Sequence, residues 1–258
     1  MTWRPDGRIL RAAAVAVGAM VLGLLGWSLA DAHQGEHGSD TIRSERDRLT
    51  VRPFDLLATR VKQTKNAYVF RSRVVGRAGK LRPAPVGQLD GAEVYAYVWP
   101  TTLDSAQIGF APAQGIVALT ATSHPDFDDT PLYDENRDGS PDNDGRKWHA
   151  HWVVLTESEA CPGGLVVKEI PDPETAVVPE TWPGLPIHID SPDYRTLRTR
   201  HEVSIVVPRG DLAGAENFRF DGVTAGLRVS TSPHDPLLCV TKVVDVASGD
   251  LSLPGKVG

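Results

Sequence analysis

The chain has 258 residues, a formal net charge of −6, and 41% hydrophobic and 23% charged residues. This is the composition of a globular protein long enough for one large domain or two small ones. The mild acidic excess argues against nucleic acid as a partner, since such partners call for basic patches.

The first segment reads as an export signal. Arg4, Arg8 and Arg11 make a positive start, Ala12 to Ala30 carries no charge, and Ala30-Asp31-Ala32 is a small-x-small cleavage pattern. Residues 1–32 are therefore expected to be a signal peptide. The alternative is an uncleaved anchor, because the apolar run approaches the roughly 20 residues that span a bilayer. No cysteine adjoins the run, so a lipoprotein anchor is not expected. The expected location is periplasmic or secreted.

Residues 33–50 are polar and charged, and read as a flexible arm or as a short helix through Thr41 to Leu49. Cleavage after Ala32 would make His33 the first residue, with an α-amine and a ring nitrogen that together chelate Cu(II). Such a terminus resembles those of periplasmic copper carriers and lytic polysaccharide monooxygenases. Cleavage after Ala30 would leave Asp31-Ala32-His33, which resembles the copper- and nickel-binding terminus of albumin. His37 is close by in either case; otherwise His33 simply begins the arm.

From residue 51 onward strand signals dominate. Runs rich in β-branched and aromatic residues cover 67–75, 93–99, 115–122, 148–156, 164–170, 202–207, 218–230 and 238–246, each bounded by Gly, Pro, Asn or Asp. Helix is expected only in short pieces, at Phe54 to Val61 and Thr102 to Gln107. The expectation is an all-β fold, an antiparallel β-sandwich or jelly roll with long polar loops and little helix. Ile170 to Pro192 is proline-rich and is either a linker or a loop crossing one end of the sandwich. Cys161 and Cys239 lie on opposite sides of it, which favours one domain over 51–258. These two cysteines are the only ones present, and in an exported protein they most simply form one disulfide.

The segment Asp134-Glu-Asn-Arg-Asp-Gly-Ser-Pro-Asp-Asn-Asp-Gly-Arg-Lys-Trp-His-Ala-His-Trp152 carries the densest chemistry. Asp134, Asn136 and Asp138 offer oxygens at alternate positions before Gly139, and Asp142 and Asp144 follow. Calcium takes six to eight oxygens, and alternate side chains on a tight turn can converge on one ion. The spacing resembles the first half of an EF-hand loop and the calcium loops of dockerins and thrombospondin type 3 repeats. The resemblance implies structural calcium binding. The closing position of an EF-hand would be Gly145 here, and Pro141 interrupts the loop, so no sensor role follows. The other reading is a solvated acidic turn. Upstream, His124-Pro125-Asp126-Phe127-Asp128-Asp129 is expected to be an exposed, hydrated loop, with completion of a cation site as the alternative.

His149 and His151 are two apart on an expected strand, so they share a face and can share a transition metal with a third ligand. His201 and His188 are the candidates for that ligand. The alternative is a pair of half-buried histidines bonded to the backbone. A jelly roll with His-x-His, a Glu and a later His resembles the cupins, which would assign His149, His151, Glu157 and His188. Trp99, Trp148, Trp152 and Trp182 can stack on a sugar but are expected to be packing residues. No nucleophile elbow, His-Glu-x-x-His or phosphate loop occurs.

These features point to an exported, non-catalytic metal-binding protein of the cell envelope. It would hold calcium in the acidic loop and copper or another transition metal at the histidines. Two alternatives stay open: a cupin-like or copper-dependent metalloenzyme, and a calcium-stabilised module that binds a ligand or a surface.

Overall fold

Short runs of β-branched and aromatic residues punctuated by glycine and proline build a protein made almost wholly of strands. The structure, a computed structural model, describes residues 40–127, 139–140, 145–212 and 214–257. In chain order the strands are β1 (Thr41–Arg43), β2 (Leu56–Gln63), β3 (Ala67–Val74), β4 (Glu93–Pro100), β5 (Ile116–Ser123), β6 (His149–Glu157) and β7 (Leu165–Val167). They continue as β8 (Ile189–Asp190), β9 (Arg195–Arg198), β10 (Glu202–Pro208), β11 (Arg219–Phe220), β12 (Val223–Val229), β13 (Leu238–Val246) and β14 (Gly255–Lys256). All pairings between these strands are antiparallel.

One sheet is open, in the order β1-β2-β3-β10-β9. The other runs β5-β4-β12-β13-β7-β6-β8, and β5 also pairs with β6. That extra pairing closes six strands into a ring and removes their free edges. The all-β expectation holds, and the sandwich has one layer that is itself a small barrel.

The wall shared by the two layers is buried on both sides. Along β4, Tyr97 and Trp99 enter the core between the sheets, whereas Val94, Ala96 and Val98 point into the barrel. Along β6, Trp148, Ala150, Trp152 and Val154 face the intersheet core, and Val153 and Leu155 face the barrel interior. The period-two alternation of a strand explains this division. Trp99, Trp148 and Trp152 are thus core residues, and Trp182 packs against the same core.

Cys161 and Cys239 form a disulfide, as expected, with Cα atoms 5.4 Å apart. It sits where β7 and β13 pair at a single couple, Val166 with Cys239, and so braces the thinnest seam of the barrel. A disulfide fits an oxidising, exported environment.

Three local expectations change. The stretch Phe54 to Val61, expected as helix, enters β2, because Thr59 and Val61 are buried alternately with Arg60 and Lys62. The arm contains β1 instead of a helix: Ile42 reaches the core, Thr41 pairs with Arg60, and Asp40 accepts hydrogen bonds from the Arg60 guanidinium. The proline-rich stretch contributes β8, which pairs with β6 through Ile189–Val153 and Asp190–Trp152. The short helical piece near Thr102 is one 3-10 turn, Ser105–Ile108, closed by a capping box between Asp104 and Gln107.

Candidate metal centre

The antiparallel register of β5 and β6 places Thr122 opposite His149 and Thr120 opposite His151. The inward face of β5 is Thr120, Thr122 and then His124, one residue beyond the strand's end. His149 and His151 lie on the inward face of β6. The three imidazoles therefore meet at one end of the barrel.

All three are buried, at 2%, 4% and 1% exposure for His124, His149 and His151. One ring nitrogen from each lies within 4.8 Å of the others. The rings of His124 and His149 stand at 88° with centroids 4.6 Å apart, and those of His149 and His151 at 81° with the same separation. The rings of His124 and His151 are tilted at 34° with centroids 5.9 Å apart.

Each Nδ1 is anchored by a hydrogen bond. His124 Nδ1–H donates to the Phe127 carbonyl at 2.7 Å, and His149 Nδ1–H donates to the Lys147 carbonyl at 3.0 Å. A carbonyl oxygen only accepts, so these bonds fix the proton on Nδ1 and leave the lone pair on Nε2. His151 Nδ1 bonds Ser191 Oγ at 3.1 Å. Outer partners of this kind orient metal-ligating histidines and raise their basicity.

The Nε2 atoms of His124 and His149 are 2.9 Å apart. Two neutral rings with these tautomers would oppose lone pair to lone pair at that distance. A cation between them, either a shared proton or a metal ion, turns the repulsion into attraction. A tetrahedral ion about 2.05 Å from each nitrogen sets neighbouring nitrogens roughly 3.3 Å apart. The observed pair is within a few tenths of an ångström of this. A set of three imidazoles suits zinc, copper, iron or nickel.

His124 is held by the backbone. Its N–H donates to the Gly145 carbonyl at 2.6 Å, and its ring stacks on Phe127 with centroids 4.3 Å apart. A Cβ at residue 145 would lie 1.9 Å from the Phe127 oxygen and 2.6 Å from His124 Nδ1. The close approach at this point accordingly requires glycine.

Of the stretch expected as a hydrated loop, His124 is instead buried, Asp126 is half-buried and accepts from Val86 N–H and Gly87 N–H, and Asp128 and Asp129 lie outside the described residues. The signal for His124 was present in the sequence, since Thr120-x-Thr122-x-His124 continues the alternation of the strand.

The expected third ligands lie elsewhere. His188 Nδ1 donates to the Lys168 carbonyl at 3.1 Å, its ring packs on Phe110, and burial lowers its pKa. His201 donates to the Gly76 carbonyl at 2.7 Å beside a basic cleft formed by Arg52, Arg77, Lys80, Arg198 and Arg200. Glu157, the carboxylate of the cupin-type assignment, is exposed at the far end of β6. His33 and the oxygen-donor residues Asp134, Asn136, Asp138, Asp142 and Asp144 lie outside the described residues.

β8 supplies the outer partner of His151. Ile189 faces the barrel interior, Ser191 reaches His151, and Asp190 points the other way. Thr181 Oγ1 donates to Asp190 Oδ1 at 2.6 Å. Burial pushes the Asp190 carboxyl up to about 6 despite that bond.

No known family model, curated protein or solved structure matches the chain.

Proposed function

We propose that this is an exported transition-metal-binding protein whose centre is His124, His149 and His151. The observation that carries the reading is the 2.9 Å approach of two Nε2 atoms whose Nδ1 protons are committed to carbonyls. Zinc or copper fits three neutral imidazoles best among the metals available to an exported protein. Among the described residues the group numbers three histidines.

The apolar cavity beside the three histidines favours a second reading, a metal-dependent enzyme. The cupin-like form of that reading keeps His149 and His151 and replaces His188 by His124. Calcium binding by Asp134, Asn136, Asp138, Asp142 and Asp144 remains a separate proposal resting on their spacing. It predicts a drop in melting temperature on calcium removal.

The test is the elemental content of the mature protein purified from an exporting host without affinity metals. The wild type should carry one equivalent of zinc or copper, and His124→Ala, His149→Ala and His151→Ala should each lose it while remaining folded. Metal uptake should weaken in acid, because protons compete with the ion for the ligand nitrogens. A folded protein that takes up neither ion at neutral pH would refute the assignment.

A further inference from the structure

The two cores are filled by different kinds of residue. The intersheet core holds Phe70, Tyr97, Trp99, Trp148, Trp152 and Phe220. The buried hydrophobic residues of the barrel interior are all Val, Leu, Ile or Ala, with the partly buried Phe127 packed against them. Small branched side chains around the inside of a ring leave a cavity of about 340 Å3. Protein interiors otherwise pack as densely as organic crystals, with few voids larger than a water molecule. An unfilled void forfeits dispersion contacts on every wall. A chain rich enough in aromatics to fill one core, yet lining the other with aliphatics, keeps the space open.

The polar groups facing this space gather at one end, where Thr120, Thr122, His124 and His151 line it. Thr122 Oγ1 is buried there and has no hydrogen-bond partner among the described residues. Elsewhere its lining includes Ile116, Leu165, Leu251 and Leu253, of which Ile116 and Leu251 are exposed, so the apolar part of the cavity opens to solvent. The cavity is thus amphiphilic along its length. A void of about 150 Å3 holds benzene, so the larger one takes roughly a dozen non-hydrogen atoms. Its volume is also at the lower end of the range for small-molecule sites.

We propose that the barrel binds one small amphiphilic carboxylate. Its alkyl body fills the barrel, and its carboxylate reaches the histidine end, where it meets the metal ion and accepts a hydrogen bond from Thr122 Oγ1. The head group rests on the metal reading above; the body does not. A cation held between the imidazoles makes this end of an otherwise apolar cavity the favoured place for an anionic oxygen.

The test uses the full chain, metal-loaded and chelator-treated, titrated calorimetrically with decanoate and with 1-decanol. Decanoate should bind the loaded protein one to one, and chelation should weaken it at least tenfold while changing decanol less than twofold. Ala225 lines the cavity beside Ala96, its register partner on the neighbouring strand β4. Ala225→Phe should therefore weaken both amphiphiles at least tenfold with metal content unchanged, and Ala225→Leu serves if the phenylalanine variant does not fold. Failure of both amphiphiles to bind a folded, metal-loaded protein overturns the proposal and leaves the metal reading standing. Uptake of both amphiphiles alike by a protein that holds no metal supports the body site, and overturns the head group together with the metal reading. Affinity that survives both Ala225 variants overturns the location.

Discussion

Gly145→Ala isolates the backbone contact that holds the first ligand. A methyl group at this position would lie 1.9 Å from the Phe127 oxygen, 2.6 Å from His124 Nδ1 and 2.6 Å from the His124 carbonyl oxygen. Non-bonded heavy atoms settle at about 3.5–4.0 Å, so the backbone on one side must move by more than about an ångström. That movement breaks the bond from His124 N–H to the Gly145 carbonyl and the bond from His124 Nδ1–H to the Phe127 carbonyl. Two hydrogen bonds contribute about 1 kcal/mol each, and overpacking adds about 1–3 kcal/mol. The variant should therefore lose about 3–5 kcal/mol of stability, read by urea denaturation of the chelated protein. Its affinity for zinc should fall about 10–100-fold, the usual effect of misorienting a ligand, read by competition with a chromophoric chelator. Gly210→Ala is the control, since a Cβ there meets nothing within 4 Å, and it should change stability by less than about 0.5 kcal/mol. If Gly145→Ala behaves like Gly210→Ala in both assays, His124 is not held as described and its place as the third ligand fails.

Asp190 gives a pH prediction. Its carboxyl is pushed up to about 6 in the folded state from an ordinary 3.8, so its contribution is fully present below pH 3.8 and is lost as pH rises through 6. At about 1.36 kcal/mol per unit, roughly 3 kcal/mol disappears across that window. Asp190→Asn keeps the acceptor for Thr181 and should flatten the difference, gaining on the wild type at pH 7.5 relative to pH 4. Equal stability differences at both pH values in metal-free protein would refute it. The disulfide closes a loop with a sequence separation of 78. Removing it with Cys161→Ala and Cys239→Ala should cost about 4 kcal/mol in denaturant unfolding, and a loss below about 1 kcal/mol would show that the β7–β13 seam needs no brace.

Much of the fold was legible because strand signals are local. The runs around Ala67–Val74, Glu93–Pro100, His149–Glu157 and Leu238–Val246 announce themselves by β-branched and aromatic content bounded by turn residues. Strands β1, β8 and β14 are only two or three residues long, too short to show a period, and their pairing depends on partners far along the chain. The apolar spacing of Phe54 to Val61 fits both a helical and a strand period, and burial of Thr59 and Val61 on one face decides for the strand.

By itself the sequence determined the all-β class, the pairing of Cys161 with Cys239, and the shared face of His149 and His151. Each follows from composition, compartment or the two-residue period of a strand, all of which are properties of neighbours in the chain. Tertiary structure decided the rest. Closure of β5 against β6 sets Thr122 opposite His149, and that register brings His124 to the cluster from 25 residues away. The same closure separates an aromatic core from an aliphatic cavity. Neither result can be read from local pattern, because register and closure depend on which distant strands bury each other's faces.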